Sequence, residues 1–146
     1  MGYLNNSGLE LVWNKIKAYI DAKTGIAEDI GKVYEASKTV NIATAGADNT
    51  TPGASLTLPA GTYILIGDWC FNSTSSSART IQVRLADSDN NGCGFQRLHM
   101  ANGWYTELQA TAIICPTKTT TYYVQGSCSS VPGSGGPTTL RAIRIK

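Results

Sequence analysis

The sequence predicts a mainly β protein: an antiparallel jelly roll or β-sandwich head, preceded by an N-terminal coiled-coil helix and assembled as a trimer. Three observations carry this expectation. From residue 55 onward, short stretches of alternating apolar and polar residues recur with turn residues between them. No stretch of helical period and useful length lies among them. Ahead of them, "GLELVWNKIKAYIDAKTGIAEDIGKVYEA", residues 8–36, carries an apolar seam at heptad spacing. The chain divides accordingly into a helical stalk over residues 1–40, a neck or linker over 41–55 and a sandwich head over 56–146.

The helix is expected to start at Ser7, because Glu10 three residues later completes a capping box for the amide groups left over at a helix start. With Leu9 as an a position, the a series is Leu9, Ile16, Lys23, Ile30, Ser37 and the d series is Val12, Tyr19, Ile26, Val33, Val40. Branched residues at these positions favour three or more strands over two. The residues expected to carry trimerisation are therefore Leu9, Val12, Ile16, Tyr19, Ile26, Ile30 and Val33. Lys23, Gly25 and Gly31 oppose this reading, each glycine by about 1 kcal/mol of helix propensity. The alternative is two shorter helices, 8–23 and 26–37, packed on one protomer's own body. After them, "NIATAGADNTTPGA" has no period and is rich in turn-forming residues, as a neck would be.

The head is read strand by strand. In "SLTLPAGTYILIGDWCFNST" a turn at Pro59-Ala60-Gly61 precedes a strand with Tyr63, Leu65, Trp69 and Phe71 on one side. In "ARTIQVRLA", Ile81, Val83 and Leu85 alternate with Thr80, Gln82 and Arg84. "GFQRLHMA", "GWYTELQATAIIC", "TTTYYVQGSC" and "TTLRAIRIK" follow, separated by Asn-Gly, Pro-Thr and Pro-Gly-Ser-Gly-Gly-Pro turns. Strands this short and this evenly spaced indicate a sandwich or jelly roll.

Composition narrows the function. The 146 residues are enough for one core, and a net charge of +2 without a basic cluster gives no footprint for nucleic acid. No basic region leads an apolar segment at the N-terminus and no apolar run approaches a membrane span, so neither export nor membrane insertion is expected. Cys70, Cys93, Cys115 and Cys128 contain no CxxC pair and have only His99 to join them, so structural zinc is not expected and free thiols are. Cys93, read as a turn residue, is expected to be the most reactive thiol. His99 has no nucleophile elbow, Ser-x-x-Lys or paired carboxylates beside it, so the chain is not expected to be an enzyme and no cofactor is implied.

The segment "GLELVWNKIKAYI" resembles the N-terminal segments of structural proteins from phages of Gram-positive bacteria. The text from "LPAGTYILIGDWCF" through "TTTYYVQGSC" to "TTLRAIRIK" is similar to the C1q/TNF-like jelly-roll heads of phage fibres and receptor-binding proteins. That resemblance covers most of the chain. It implies a homotrimer, attachment to other virion proteins, synthesis in the host cytoplasm and residence in the virion. Its functional implication is a tail-fibre or baseplate protein that grips host cell-wall carbohydrate. The alternative is a head fibre or capsid decoration protein without receptor binding.

Two local stretches are candidate sites. "FQRLHMANGWYTE" combines aromatic rings with planar hydrogen-bonding groups, as sugar recognition requires, and makes Arg97, His99, Asn102, Trp104 and Tyr105 the candidate receptor-binding residues. The bland reading of the same text is a hairpin with Trp104 in the core. "DSDNNG" places Asp87, Asp89 and Asn91 as in the first half of a calcium loop, but Leu98 stands where a bidentate glutamate belongs. A polar hairpin turn without any ion demands the same residues, so no metal site is assigned.

Overall fold

The computed structural model describes residues 12–16, 19, 29–42, 46, 50–72, 78–100, 105–129 and 135–146. The described residues form eight strands: β1 (Val33–Val40), β2 (Thr51–Leu58), β3 (Tyr63–Asn72), β4 (Arg79–Asp87), β5 (Gly92–Met100), β6 (Tyr105–Ile114), β7 (Thr120–Cys128) and β8 (Gly136–Arg144). They pair antiparallel into two four-stranded sheets, β1-β8-β3-β6 and β2-β7-β4-β5. Face-to-face packing of these sheets is the jelly-roll sandwich expected from the sequence. Among the described residues, no helix is long and apolar enough to cross a membrane.

Period-two patterning decides which face of each strand is buried. Tyr63, Leu65, Trp69 and Phe71 of β3 point into the core, as do Ile81, Val83 and Leu85 of β4. Leu108, Ala110, Ala112 and Ile114 of β6, Tyr122, Val124 and Cys128 of β7, and Leu140 and Ala142 of β8 join them, with Ala54 and Leu58 of β2 and Ile42 just after β1, in one core. At its centre lies Trp69, fully buried, with the Phe71 ring stacked 5.7 Å away. The opposite sheet receives this indole with glycine. A Cβ at Gly126 of β7 would fall 2.8 Å from three indole carbons, and one at Gly53 of β2 would fall 3.0 Å from Trp69 Cζ3. The indole Nε1 has no hydrogen-bond acceptor among the described residues, so shape rather than polarity holds the ring.

Thr138 joins the sheets beside that ring. Its buried Oγ1 accepts a hydrogen bond from Ala54 N at 2.9 Å and donates to Lys38 O at 2.7 Å, linking β8 to β1 in its own sheet and to β2 in the other. The register of β2 against β7 shifts between Pro52 and Ser55, and the bulge this implies is what turns the Ala54 amide inward.

The first strand corrects the helical reading of residues 33–40. Gly31, at φ 83°, sits in a left-handed conformation that a helix cannot continue through, and Lys32 N donates to Asp29 O in the same turn. Gly31 N then donates to Arg144 O, and β1 pairs along its whole length with β8. Val33 and Val40, seven residues apart, would share one face of a helix, but an odd spacing places them on opposite faces of a strand. Val33 points outward and Val40 packs against the core. Residues 51–55, read as linker, likewise belong to β2. Residues 12–16 and 19 are helical, with Val12, Trp13, Ile16 and Tyr19 exposed, whereas Leu9 and Ile26 of the predicted seam lie outside the described residues.

Gly126→Ala should force a methyl group into the indole plane and destabilise the fold by about 1–3 kcal/mol, the usual cost of overpacking a filled core. Urea denaturation of the two proteins measures this, and an unchanged midpoint would contradict the close fit described here.

Candidate functional site

The outward face of β4 and β5 collects two arginines and an aromatic ring. β4 turns Thr80, Gln82 and Arg84 away from the core, and the β4/β5 register sets them opposite His99, Arg97 and Phe95. Arg84 and Arg97 are therefore diagonal neighbours across the ladder, with Phe95 beside both. Together with Gln82, Gly92, Cys93 and Gly94 they line a shallow depression of about 480 Å³. Phe95 remains 67% exposed.

Neutral oxygens hold both guanidinium groups in place. Arg97 donates from Nε (3.1 Å) and Nη2 (2.8 Å) to Gln82 Oε1. Arg84 donates from Nη2 to Asn90 O at 2.5 Å. An amide oxygen orients a guanidinium without neutralising it, and the unused N–H groups of each arginine remain available. The turn that supplies Asn90 O is itself fixed by side chains. Asp87 Oδ1 accepts from Asp89 N at 3.0 Å and Asn91 N at 2.8 Å, while Asn91 Nδ2 donates to Asp87 Oδ2 at 3.0 Å. Asn90 occupies the left-handed region at φ 64°, which asparagine tolerates better than most residues. Gly92 leaves room for Arg84, whose Nε would lie 2.8 Å from a Cβ at that position.

Both oxygens of Asp87 are engaged in the turn, and the bond to Asn91 is the largest of the effects that hold its carboxyl below the ordinary range. The described residues contain no cluster of three or more His, Cys, Asp or Glu able to hold a metal. Asp87, Asp89 and Asn91, the residues that resemble half a calcium loop, build the hairpin that presents Arg84.

The predicted receptor residues separate. Arg97 and His99 stand on the outward face of β5, where His99 Nδ1 lies 3.3 Å from Thr80 Oγ1. Tyr105 begins β6 in the other sheet, opposite Asn72 and 66% exposed, with its hydroxyl pKa raised chiefly by a hydrogen bond to the Cys70 side chain. Asn102 and Trp104 lie outside the described residues. Arg84, Gln82 and Phe95 belong with Arg97 instead. Their outward alternation is visible in "RTIQVRLA" and "GFQRL", but the register that brings them together is not.

The exterior of the other sheet is apolar at one end. Val33 of β1 pairs with Ile143 of β8, Ile143 with Ile64 of β3, and Ile64 with Ile113 of β6. Four branched side chains thus form a row across the full width of the sheet, with Val33 57% and Ile113 70% exposed. Beyond that row the face turns polar. Arg141 pairs with Glu35 at 3.1 Å and Gln109 donates to Asp68 at 2.8 Å.

All four cysteines are free. Cys93 lies in β5 next to the register shift at Leu85/Ala86; the residue is exposed, and its Sγ donates to Leu85 O at 3.5 Å. Burial foremost, and then Asp87, push its thiol pKa up, which argues against its being the most reactive. Cys115 is exposed in the segment after β6.

No protein-family model matches the sequence, and no curated protein matches it. Among solved structures, the chain is similar to the globular domain of zebrafish complement 1qA protein, at 8% identity and a TM-score of 0.46, covering 78% of this chain and 97% of that one. It is also similar to infectious bursal disease virus VP2 from a subviral particle, at 16% identity and a TM-score of 0.45, covering 77% of this chain and 32% of that one. A T13 particle of the same virus gives 13% identity and a TM-score of 0.48. The chain therefore spans about a third of the length of the viral proteins it matches.

Two outcomes follow. Alkylation at pH 8 should label Cys115 before Cys93, since a raised pKa leaves less thiolate at that pH, and mass spectrometry of a time course reads the order. The Asp87 carboxyl is depressed below its unfolded value, so its contribution to hairpin stability is present above the unfolded pKa of 3.8 and lost as pH falls through the lower folded value. Amide exchange at Asn91 should accelerate over that acid range, and Asp87→Asn should weaken the dependence.

Proposed function

We propose that this chain is a virion structural protein whose sandwich forms the head of a homotrimer and attaches the particle to host cell-surface carbohydrate. The observation that carries the assembly part is the apolar row Val33, Ile143, Ile64 and Ile113 on one sheet exterior. An antiparallel sheet with one face on the core usually presents a polar face to water, so a band of branched side chains across its full width calls for a covering surface. The row starts at Val33, three residues after the exposed Ile30 and downstream of the helical residues 12–16 and 19, whose apolar side chains are also exposed. Self-association would cover both. The number three and the virion setting come from the resemblance to phage fibre heads. Carbohydrate attachment rests on the opposite exterior, where a ring and planar hydrogen-bonding groups stand together on rigid strands. The proposed role is binding, with no catalytic step.

Light scattering at micromolar concentration should give three times the 15.5 kDa chain mass. Ile113→Asp should weaken assembly, since each isoleucine of the row stands to contribute about 1.5–3 kcal/mol on full burial. A monodisperse wild-type monomer would exclude the assembly proposal. Adsorption of the purified trimer to host cells tests attachment, and a stable trimer that adsorbs to no host cell would leave a decoration or scaffold role in its place.

A further inference from the structure

The chemistry of the β4–β5 depression identifies the class of ligand more narrowly than "carbohydrate". We propose that Arg84, Arg97 and Phe95 form a binding site for an acidic saccharide, with the guanidinium groups taking the acid and the phenyl ring taking the apolar face of the sugar. This deepens the attachment reading and rests on it for its biological setting.

Charge is the first argument. Among the described residues, the outward positions of β4, β5 and β7 that reach the surface carry no carboxylate: they are Thr80, Gln82, Arg84, Phe95, Arg97, His99, Thr121 and Tyr123. Elsewhere on the protein, arginines are paired with acids, as outward Arg141 is with Glu35 and as Arg144, beside the core ring of Tyr63, is with Asp29 at 2.8 Å. Arg84 and Arg97 are held by an amide oxygen and a backbone carbonyl instead. The nearest acid is Asp87, whose two oxygens are spent within the hairpin, although its charge still feels Arg84. Among the described residues, neither of these two oriented guanidinium groups is in a salt bridge with a carboxylate.

Geometry is the second. Arginine's planar fork matches the paired oxygens of a carboxylate or phosphate. The ladder fixes the two forks on either side of the Phe95 ring, within the span of one or two sugar units. Phe95, two-thirds exposed, brings no polar group and stacks on no other ring among the described residues, so its use here is as a flat apolar platform. Gly92 keeps the floor beneath Arg84 clear.

Titration of the full-length protein with four probes tests this: inorganic phosphate, glucose 1-phosphate, a glucuronate-containing oligosaccharide and a neutral gluco-oligosaccharide of equal length. Acidic probes should bind more tightly than the neutral one, and added salt should weaken them. Whether phosphate or carboxylate binds better assigns the acid. Replacing both arginines, Arg84→Gln with Arg97→Gln, should lower affinity about tenfold or more, as loss of charge-assisted hydrogen bonds requires. Phe95→Ala should weaken the saccharides and leave inorganic phosphate unchanged. Chemical-shift mapping on the wild type, which does not depend on how the variants fold, should place the acidic probes at Arg84, Phe95 and Arg97. Equal affinity for the neutral probe, unaltered affinity in the double variant, or mapping to another surface would overturn the site. Host-cell adsorption that survives loss of both arginines would remove this site and leave attachment standing. Acidic-sugar binding without adsorption to any cell would keep the site and remove attachment.

Discussion

The sandwich is organised around one indole ring. Trp69 is too large and too flat to share its layer with side chains from the facing sheet, so that sheet must approach it with bare backbone at Gly126 and Gly53. The choice at Gly53 reaches further, because the same stretch of β2 bulges and turns the Ala54 amide toward Thr138. One threonine hydroxyl then ties three strands from two sheets. The ring and the hydroxyl act together: remove the bulk and the glycines face a void, and move the strand and a buried amide loses its acceptor. What positions the outer surfaces is therefore decided within the core.

Much of this was legible in the sequence. The alternation in "TYILIGDWCF", "RTIQVRLA" and "LRAIRI" exposes the core faces of β3, β4 and β8 directly, because those strands are buried on one side and wet on the other. β1 was hidden. Its apolar residues at 33 and 40 fit a heptad as well as a strand, and only the left-handed Gly31 and the pairing with a strand a hundred residues away decide the matter. The candidate site divides on the same line. That Arg97 points outward follows from local alternation, whereas its partnership with Arg84 and Phe95 depends on register, which is long-range information. Tyr105, a sequence neighbour of His99, ends up on the other sheet because the chain crosses the sandwich between β5 and β6.

The two exteriors differ in kind. One bears a row of branched hydrocarbon at its end and ion pairs beyond it; the other bears unpaired cationic forks around a single ring. Burying the first face against copies of the chain would leave the second facing outward on every copy. Assembly and recognition need not compete for the same surface. Such an assembly would also repeat the proposed site around an axis, where several modest contacts made at once hold far longer than any one of them alone.

The ladder between β1 and β8 sets the order in which its sheet can form. Its partners are the first and last strands among the described residues, paired from Val33–Ile143 to Val40–Gly136, with Gly31 N donating to Arg144 O just ahead of the ladder. β8 also lies between β1 and β3, so the sheet that buries Trp69 lacks an interior strand until β8 docks. Closing the β1–β8 ladder requires a loop of about a hundred residues, a slow step for a contact so far apart in sequence. The apolar row stays divided among separate segments until that ladder closes, so its hydrocarbon face is a product of the finished sheet and of no earlier fragment.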